Sequence, residues 1–254
     1  MSKGVLAYCF DTNETKYSDI LVQFAKLVEK NLRLPVTVVT DEQTSRSFKN
    51  KIDVDCVLLN PNKNNSRYYK GKVVPWYNSE RTRAYDISPY EQTLLLDIDY
   101  FCYTNNLLEM FDTDYDFLIH DKVNDITQKN IILSKNEATI PLLWATVIYF
   151  RKSHSAHAIF EMAKHVKKYY EHYCNLFRIK FKNFRNDFAF AIAIHQMNQF
   201  GINAGKIPCA MNMLPHEADV LEFDDRSMTF AYKKFFSKIY DTDVHIMNKE
   251  FCSG

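Results

Sequence analysis

An uninterrupted apolar run near the middle of the chain ends in two carboxylates. Residues 93–96 read Thr-Leu-Leu-Leu, and Asp97 and Asp99 follow with one isoleucine between them. Such a run predicts a buried strand, and because strand side chains alternate, Asp97 and Asp99 point to the same side. Two like charges there repel and lose hydration, so a hard divalent cation would stabilise them. The pair therefore predicts a metal site at the carboxyl end of a central strand, where open α/β sheets bind ligands.

The Asp-x-Asp spacing is not specific by itself. The chain repeats it at Asp53/Asp55, Asp112/Asp114, Asp114/Asp116 and Asp241/Asp243. Only the pair Asp97/Asp99 follows four consecutive apolar or β-branched residues. Its structural context, and not the spacing, selects it as a candidate site.

The composition excludes several classes of protein. The 254 residues contain only five glycines and no GxGxxG or GxxxxGK[ST] pattern, which argues against the usual dinucleotide and P-loop folds. A net charge of +1 gives no global attraction to nucleic acid. Six cysteines without a CxxC spacing predict buried, reduced thiols. No apolar run approaches membrane-spanning length, so we expect a cytoplasmic protein with no membrane partner.

The pattern along the chain predicts an α/β sheet with parallel members. We predict strands at 4–10, 36–40, 56–59, 93–96, 117–119, 142–150, 228–232 and 244–247. We predict helices at 20–28, 78–87, 156–173, which Ser153 would cap, and 186–199. Polar segments at 61–72 and 122–139 predict connections, and 208–215 predicts turns. We expect residues 1–254 to form one domain with a C-terminal elaboration.

Four short motifs in this order resemble those of GT-A-fold glycosyltransferases. They are Ser-Pro-Tyr followed by Leu-Asp-Ile-Asp in 88–99, the strand 141–152 ending in Arg-Lys and followed by Ser153, Phe-Arg-Asn-Asp in 184–187, and Val-His-Ile-Met-Asn-Lys in 244–249. The resemblance covers most of the chain. It implies a single GT-A-like, Rossmann-like mixed sheet flanked by helices. It also implies transfer of a sugar from a nucleoside-diphosphate sugar, UDP-linked, to a hydroxyl group.

The resemblance assigns roles to residues in the middle of the sequence and near its last predicted strand. Asp97, Asp99 and His245 are implied to hold Mn²⁺ or Mg²⁺. Lys249 is implied to contact the donor diphosphate beside the two aspartates, and Arg81, on the preceding helix, is a further candidate for that contact. The metal would neutralise the charge that grows on the leaving diphosphate.

Each of these roles has a structural alternative. His245 can be a hydrogen-bonded structural histidine. Arg81 can form a surface salt bridge with Glu80 or Asp86. Asp187 is our candidate to orient or deprotonate the acceptor hydroxyl, but it can equally be an acid that interacts with the dipole at a helix N-terminus.

The chain also resembles, more loosely, the small glycosyltransferases with which tailed phages decorate hydroxymethylated cytosine, the arabinose-transferring kind among them. That resemblance implies double-stranded DNA carrying 5-hydroxymethylcytosine as acceptor and the host cytoplasm as location. Residues 164–185 support it, since seven basic residues and six interleaved aromatic residues accompany one acid, Glu171. Lys180, Lys182 and Arg185 are our candidates for phosphate contacts. The alternative is an amphipathic helix with a solvated basic face.

Other activities stay open at this point. The acceptor can instead be a polysaccharide, a glycolipid or a protein. A nucleotidyltransferase also uses paired aspartates and a metal, but releases diphosphate from a nucleoside triphosphate. A non-catalytic binding module is the third class, and the uncompensated carboxylate pair argues against it.

Overall fold

The computed structural model describes residues 1–61, 65–69, 71–127, 138–180 and 183–252. The strands in these ranges are β1 (Lys3–Tyr8), β2 (Val36–Thr40), β3 (Asp55–Leu58), β4 (Ser66–Tyr69), β5 (Lys72–Pro75), β6 (Gln92–Leu96), β7 (Tyr100–Phe101), β8 (Phe117–His120), β9 (Val123–Asp125), β10 (Trp144–Arg151), β11 (Gly205–Lys206), β12 (Met211–Leu214), β13 (Ala218–Phe223), β14 (Ser227–Tyr232), β15 (Phe235–Tyr240) and β16 (Val244–Ile246). The α-helices are α1 (Tyr17–Leu27), α2 (Glu42–Phe48), α3 (Ala84–Ile87), α4 (His154–Lys168), α5 (Tyr170–Leu176) and α6 (Asn186–Asn198).

A mixed sheet with strand order β11-β8-β10-β6-β1-β2-β3 forms the centre of the fold. Strands β6, β1, β2 and β3 run parallel, and α1 and α2 provide the crossovers between β1, β2 and β3. Strand β10 is antiparallel to both β6 and β8. The strand order reverses between β1 and β6, because β2 and β3 lie on one side of β1 and β6 lies on the other, and open α/β sheets place their ligands at such a point. The predicted mixed α/β sheet is confirmed.

The side chains of the apolar run 94–96 pack into two hydrophobic cores, one on each face of the sheet. Leu94 and Leu96 face a cluster that includes Phe24 of α1. Leu95 faces a second cluster that includes Phe160 of α4 and Phe190 of α6. Because both faces of β6 are covered, its sequence is continuously apolar instead of alternating.

Two small sheets follow the central one. Strands β7, β16, β12 and β9 form the first, and β13, β14 and β15 form the second. In the first, β16 pairs antiparallel with β7, which places His245 opposite Tyr100. This pairing brings the last strand of the described chain next to the Asp97/Asp99 turn.

Most predicted elements lie where the sequence places them, and several predictions are wrong in detail. The predicted connection 61–72 contains β4 and the start of β5, and the predicted turns at 208–215 contain β12. The predicted helix 156–173 is two helices, because Tyr169 has non-helical torsion angles (φ −115°, ψ 35°). The connection at 122–139 contains β9, and its residues 128–137 lie outside the described residues.

The caps of two helices follow from local side chains. The Ser153 hydroxyl accepts a hydrogen bond from the Ala156 amide at 3.2 Å, as the cap prediction requires. The Asp41 carboxylate accepts one from the Thr44 amide at 2.7 Å and starts α2, a helix that we did not predict. The prediction of buried thiols is confirmed for the Cys9, Cys102 and Cys174 side chains, while those of Cys56 and Cys209 are exposed. In the described part of the chain, no helix combines the length and the apolarity that crossing a membrane requires.

A buried histidine makes the stability of this fold depend on pH. His120 is 1% exposed, and burial lowers its pKa to about 4, although its Nδ1 lies 3.1 Å from the Cys209 carbonyl oxygen. Between pH 6.5 and pH 4, His120 binds a proton in the unfolded chain but stays neutral in the folded chain. The free energy of unfolding therefore falls as the pH falls. We expect this residue to cost about 2–3 kcal/mol between pH 7.5 and pH 4.5.

Urea unfolding of His120→Asn and of wild type across this range measures that cost. The variant should lose less stability on acidification than wild type, while the exposed control His172→Asn should follow wild type. Identical pH profiles for His120→Asn and wild type would contradict the assignment.

Candidate active site

A tight turn at the end of β6 presents Asp97 and Asp99. The Asp97 amide donates to the Thr146 carbonyl oxygen at 2.9 Å, and the Tyr100 amide donates to the Asp97 carbonyl oxygen at 3.0 Å. Asp99 is buried, and the Asp97 side chain is 24% exposed. The backbone therefore fixes both carboxylates at the edge of the sheet with little freedom to turn away.

The His245 side chain meets the turn from β16. The Ile246 amide donates to the Asp99 carbonyl oxygen at 2.9 Å, which locks β16 beside the turn. His245 Nε2 lies 3.2 Å from Asp99 Oδ1, and its Nδ1 lies 3.4 Å from the Thr146 hydroxyl. A residue far from Asp99 in sequence thus lies against it in the fold.

Together, Asp97, Asp99 and His245 have the character of a divalent-metal site. One ligand atom from each lies within 4.8 Å of the other two. Among the described residues, no donor is aligned to hydrogen-bond the buried Asp99 Oδ1 atom, although His245 Nε2 lies 3.2 Å from it. An unsatisfied buried carboxylate oxygen is costly unless something positive occupies the space beside it. Two carboxylates and one imidazole fit a hard or borderline divalent cation such as Mn²⁺ or Mg²⁺.

Two basic side chains already balance the carboxylates. Arg81 forms an ion pair with Asp97, and Lys249 forms one with Asp99. Burial by itself would raise the pKa of Asp99, but the charges of Lys249 and then His245 outweigh burial and hold that pKa well below its usual range. Burial raises the pKa of Asp97, and Arg81 opposes that rise.

Arg81 is a buried residue of the 3₁₀ segment Asn78–Arg83. Its guanidinium contacts the Asp97 carboxylate and donates to the Leu95 carbonyl oxygen at 3.4 Å. The alternative of a surface salt bridge with Glu80 or Asp86 is therefore wrong. Arg81 lines the same cavity as Asp97 and neutralises the charge of that carboxylate.

Lys249 is buried as well. Its ammonium group contacts Asp99 and donates to the Ile246 carbonyl oxygen. Strand β16 and the residues that follow it thus supply both an imidazole and an ammonium group to the same carboxylate.

A cavity of about 500 Å³ opens above these groups. Its floor includes Asp97, Asp99, His245 and Lys249. Aromatic rings form much of its wall, namely Tyr8, Phe10, Trp76, Tyr77, Trp144 and Phe184. Polar groups that converge at the floor of an apolar-walled cavity are typical of a small-molecule site.

Asp187 lies in the first turn of α6 and lines the same cavity. Its Oδ1 accepts a hydrogen bond from the Ala145 amide at 2.8 Å, and its Oδ2 lies 3.1 Å from the Arg185 guanidinium. These contacts tie the start of α6 to the start of β10. The carboxylate is held in one orientation at the cavity wall.

The structure describes two of the three residues that we predicted to contact DNA. Lys180 is exposed and Arg185 is partly exposed, and both line the cavity. Lys182 lies outside the described residues. Elsewhere in the basic stretch, Lys164 pairs with Asp86 at 2.6 Å and Lys167 pairs with Glu80 at 2.6 Å.

Most of the described aromatic residues of 164–185 pack in the hydrophobic core. Tyr170 and Phe177 are buried, and Phe184 packs against Tyr170 with ring centroids 5.1 Å apart. Phe184 also lies 6.1 Å from the Trp76 ring. The amphipathic-helix alternative thus describes much of 164–180, and the aromatic and basic groups that reach the cavity come from its end.

Sequence reasoning missed three residues that shape the site. Asn78 donates to Asp97 Oδ1 at 3.4 Å, Thr146 contacts His245, and Trp76 forms part of the wall. Thr146 stands in an apolar strand, where a hydroxyl is a usable signal. Asn78 and Trp76 carry no local signal, because only the fold brings their segment to the end of β6.

Comparisons with solved structures show what the chain is similar to. An active-site mutant of LgtC aligns with a TM-score of 0.51 and 14% identity over 80% of this chain and 72% of that one. Galactosyltransferase LgtC in complex with donor and acceptor sugar analogues aligns with a TM-score of 0.49 and 16% identity over the same shares. Glycosyltransferase GlyE of Streptococcus pneumoniae TIGR4 aligns with a TM-score of 0.45 and 11% identity over 82% of this chain.

The likeness to LgtC shows that the chain has the GT-A-like fold that the motifs predict. The chain spans only 46% of the length of the GlyE chain. No protein-family profile matches the chain, and no curated protein matches it in sequence.

The Arg81–Asp97 pair should dominate the stability of the metal-free site. In chelator, Arg81→Met leaves a buried carboxylate without its counter-charge, so we expect the free energy of unfolding to fall by about 3 kcal/mol or more. Adding Asp97→Asn removes that stranded charge and should recover much of the loss. Urea denaturation of the single and double variants measures both changes.

The exposed Arg83→Met is the matched control for that loss. Arg83 lies 4.0 Å from Glu80, and its side chain is 48% exposed, so its removal should cost no more than about 0.5 kcal/mol. If Arg81→Met and Arg83→Met lowered the free energy of unfolding equally, the Arg81–Asp97 pair would contribute no more to stability than a surface ion pair.

Proposed function

We propose that this chain is a metal-dependent glycosyltransferase that moves a sugar from a nucleoside-diphosphate sugar to a hydroxyl acceptor. One observation carries the proposal: Asp97, Asp99 and His245 converge with two cationic side chains at the floor of an aromatic-walled cavity. The GT-A-like fold shared with LgtC supports the same reading. UDP is the nucleotide that we propose first.

The floor of the cavity is suited to a diphosphate leaving group. A divalent cation bound by Asp97, Asp99 and His245 would act as a Lewis acid on diphosphate oxygens. Lys249 adds a buried positive charge at the same place, where negative charge develops as the sugar leaves. Arg81 pairs with Asp97 and holds it in place, and because Arg81 also lines the cavity we keep it as a candidate for a direct contact with the donor diphosphate.

The wall of the cavity is suited to a sugar and its acceptor. Trp76, Trp144 and Phe184 present rings toward the enclosed space and reduce its water content. Low water content favours transfer to the acceptor over hydrolysis of the donor. We propose that Asp187, held by Ala145 and Arg185, accepts a hydrogen bond from the acceptor hydroxyl and orients it.

We propose 5-hydroxymethylcytosine in DNA as the first acceptor to test, in keeping with the phage-type resemblance. Lys180 and Arg185 at the cavity support it, since cations beside aromatic rings suit a phosphate chain that presents a base. Glycans, glycolipids and proteins are the competing acceptors. A metal-dependent nucleotidyltransferase is the competing reaction, and only release of diphosphate from a nucleoside triphosphate would identify it.

The metal role predicts a specific thermal-shift pattern. UDP with Mn²⁺ should raise the melting temperature by about 5–10 °C at a concentration near 100 times its dissociation constant. UDP with chelator should give a much smaller shift. Asp99→Asn should abolish the Mn²⁺-dependent shift and lower turnover of the donor sugar by at least about 100-fold.

Asp114→Asn is the matched control, since Asp114 belongs to an exposed Asp-x-Asp pair. It should leave both the shift and the turnover unchanged. Full turnover by Asp99→Asn, or by wild type in excess chelator, would refute the metal role.

The DNA acceptor predicts salt-dependent binding at the cavity. Log affinity for DNA should fall with log salt by about 0.9 for each phosphate contact. Lys180→Ala should reduce that slope by about 1 and weaken binding similarly for all sequences. Lys49→Ala, an exposed change at the end of α2, should do neither. No binding even at low salt, together with slow donor hydrolysis, would leave a glycosyltransferase with a different acceptor.

A further inference from the structure

Strand β15 forms a free edge of the β13-β14-β15 sheet. Among the described residues, β15 pairs with β14 along its whole length and with no other strand. Its outer side therefore presents unpaired backbone amide and carbonyl groups, which can template pairing with another strand. The edge is six residues long, reads Phe-Phe-Ser-Lys-Ile-Tyr, and contains one charge.

Large apolar side chains flank this edge. Phe235 and Phe236 are 74% and 75% exposed, and Tyr240 is 61% exposed. In antiparallel register with β14, Phe235 lies on the face that also carries Tyr232, whereas Phe236 and Tyr240 lie on the other face. The aromatic surface thus belongs to the edge itself and wraps both sides of it.

We propose that β15 pairs with β15 of a second copy of this chain in an antiparallel, two-fold symmetric dimer. The two three-stranded sheets then form one continuous sheet. In the register centred on Ser237, residues of the same face lie opposite one another, so Phe235 faces the partner's Ile239 and Phe236 faces the partner's Lys238. Each phenylalanine then packs against an aliphatic chain, and no two lysines lie opposite one another, which is a favourable arrangement for cross-strand pairs.

The charges at the two ends of β15 complement each other in this register. The turn before β15 is Lys233–Lys234, and Asp241 follows its last residue. Antiparallel pairing places Lys233 against the partner's Asp241, and symmetry creates the same contact twice. Asp241 forms an exposed ion pair with Arg226 at 2.8 Å, and its side chain is 51% exposed, so it stays accessible.

The area is adequate for a dimer in solution. Large aromatic side chains bury roughly 100–150 Å² each when such exposed surface is covered, so six of them contribute roughly 600–900 Å². The two strand backbones bring the total near the roughly 1,000 Å² that a specific interface needs.

An anionic membrane is the competing partner for a surface with lysines and phenylalanines. It fits less well, because Asp224, Asp225 and Asp241 lie at the other end of the same hairpin and would be repelled. It also leaves the backbone groups of β15 without strand partners.

Sedimentation velocity across a range of concentrations tests the dimer. Wild type should sediment at twice the monomer mass at high concentration, and Phe236→Lys should weaken dimerisation at least tenfold. Phe200→Lys is the matched control, since Phe200 is 74% exposed outside the hairpin, and it should dimerise like wild type. A monomer at every concentration, a dimer that survives Phe236→Lys, or a monomer that co-sediments with phosphatidylglycerol vesicles would overturn the proposal.

A charge exchange tests the register. Lys233→Glu alone and Asp241→Lys alone each place like charges together at both symmetric contacts, so each variant should dimerise more weakly than wild type. In an equimolar mixture, the heterodimer places Glu and Lys together at one contact and the native Asp and Lys at the other. The mixture should therefore recover the dimer, and a mixture that stays as monomeric as the single variants would refute this register. Melting temperatures of both variants report whether each one is folded.

Discussion

The carboxylates of Asp99, which is buried, and Asp97, which is partly buried, are stable at one edge of the sheet because a cation from a distant part of the chain contacts each of them. Arg81 comes from the segment before β6, and Lys249 comes from beyond β16. Neither carboxylate could be buried at acceptable cost without its partner. The contacts therefore join the segment before β6 and the end of the chain to the central sheet. The small sheet that contains β16 is held against the β6 turn by this charge balance as much as by its backbone pairing with β7.

The same balance would shape how the proposed site takes up a cation. Asp99 shares its two oxygens between His245 and Lys249, and Asp97 directs Oδ1 at Arg81. A divalent cation must share these oxygens with the ammonium and guanidinium groups. The site is thus preorganised in position but partly neutralised in charge, which weakens binding of a bare cation. A diphosphate brings negative charge of its own, so metal and nucleotide should bind better together than apart.

The sequence could locate the carboxylates because their strand is covered on both faces and reads as a continuous apolar run. His245 and Lys249 were reached only through the resemblance, since a short strand with one histidine carries no local sign of a ligand. The partner of Arg81 could not be predicted, because it depends on how the Asn78–Arg83 segment packs under β6. Strand β15 was missed for a related reason: it is exposed on both faces and so lacks the alternation that marks a half-buried strand.

The distribution of charge narrows what kind of acceptor contact the cavity can make. Lys164 and Lys167 pair with acids, so the long basic face suggested by residues 164–185 is largely neutralised before any partner arrives. The remaining described cations of that stretch at the cavity are Lys180 and Arg185, and Arg185 already holds Asp187. A nucleic acid would therefore be held by few phosphate contacts and by one base among the rings of the wall. A glycan acceptor would use the same rings and would need even fewer charges. Aromatic stacking, more than electrostatic attraction, is thus the common requirement for an acceptor at this site.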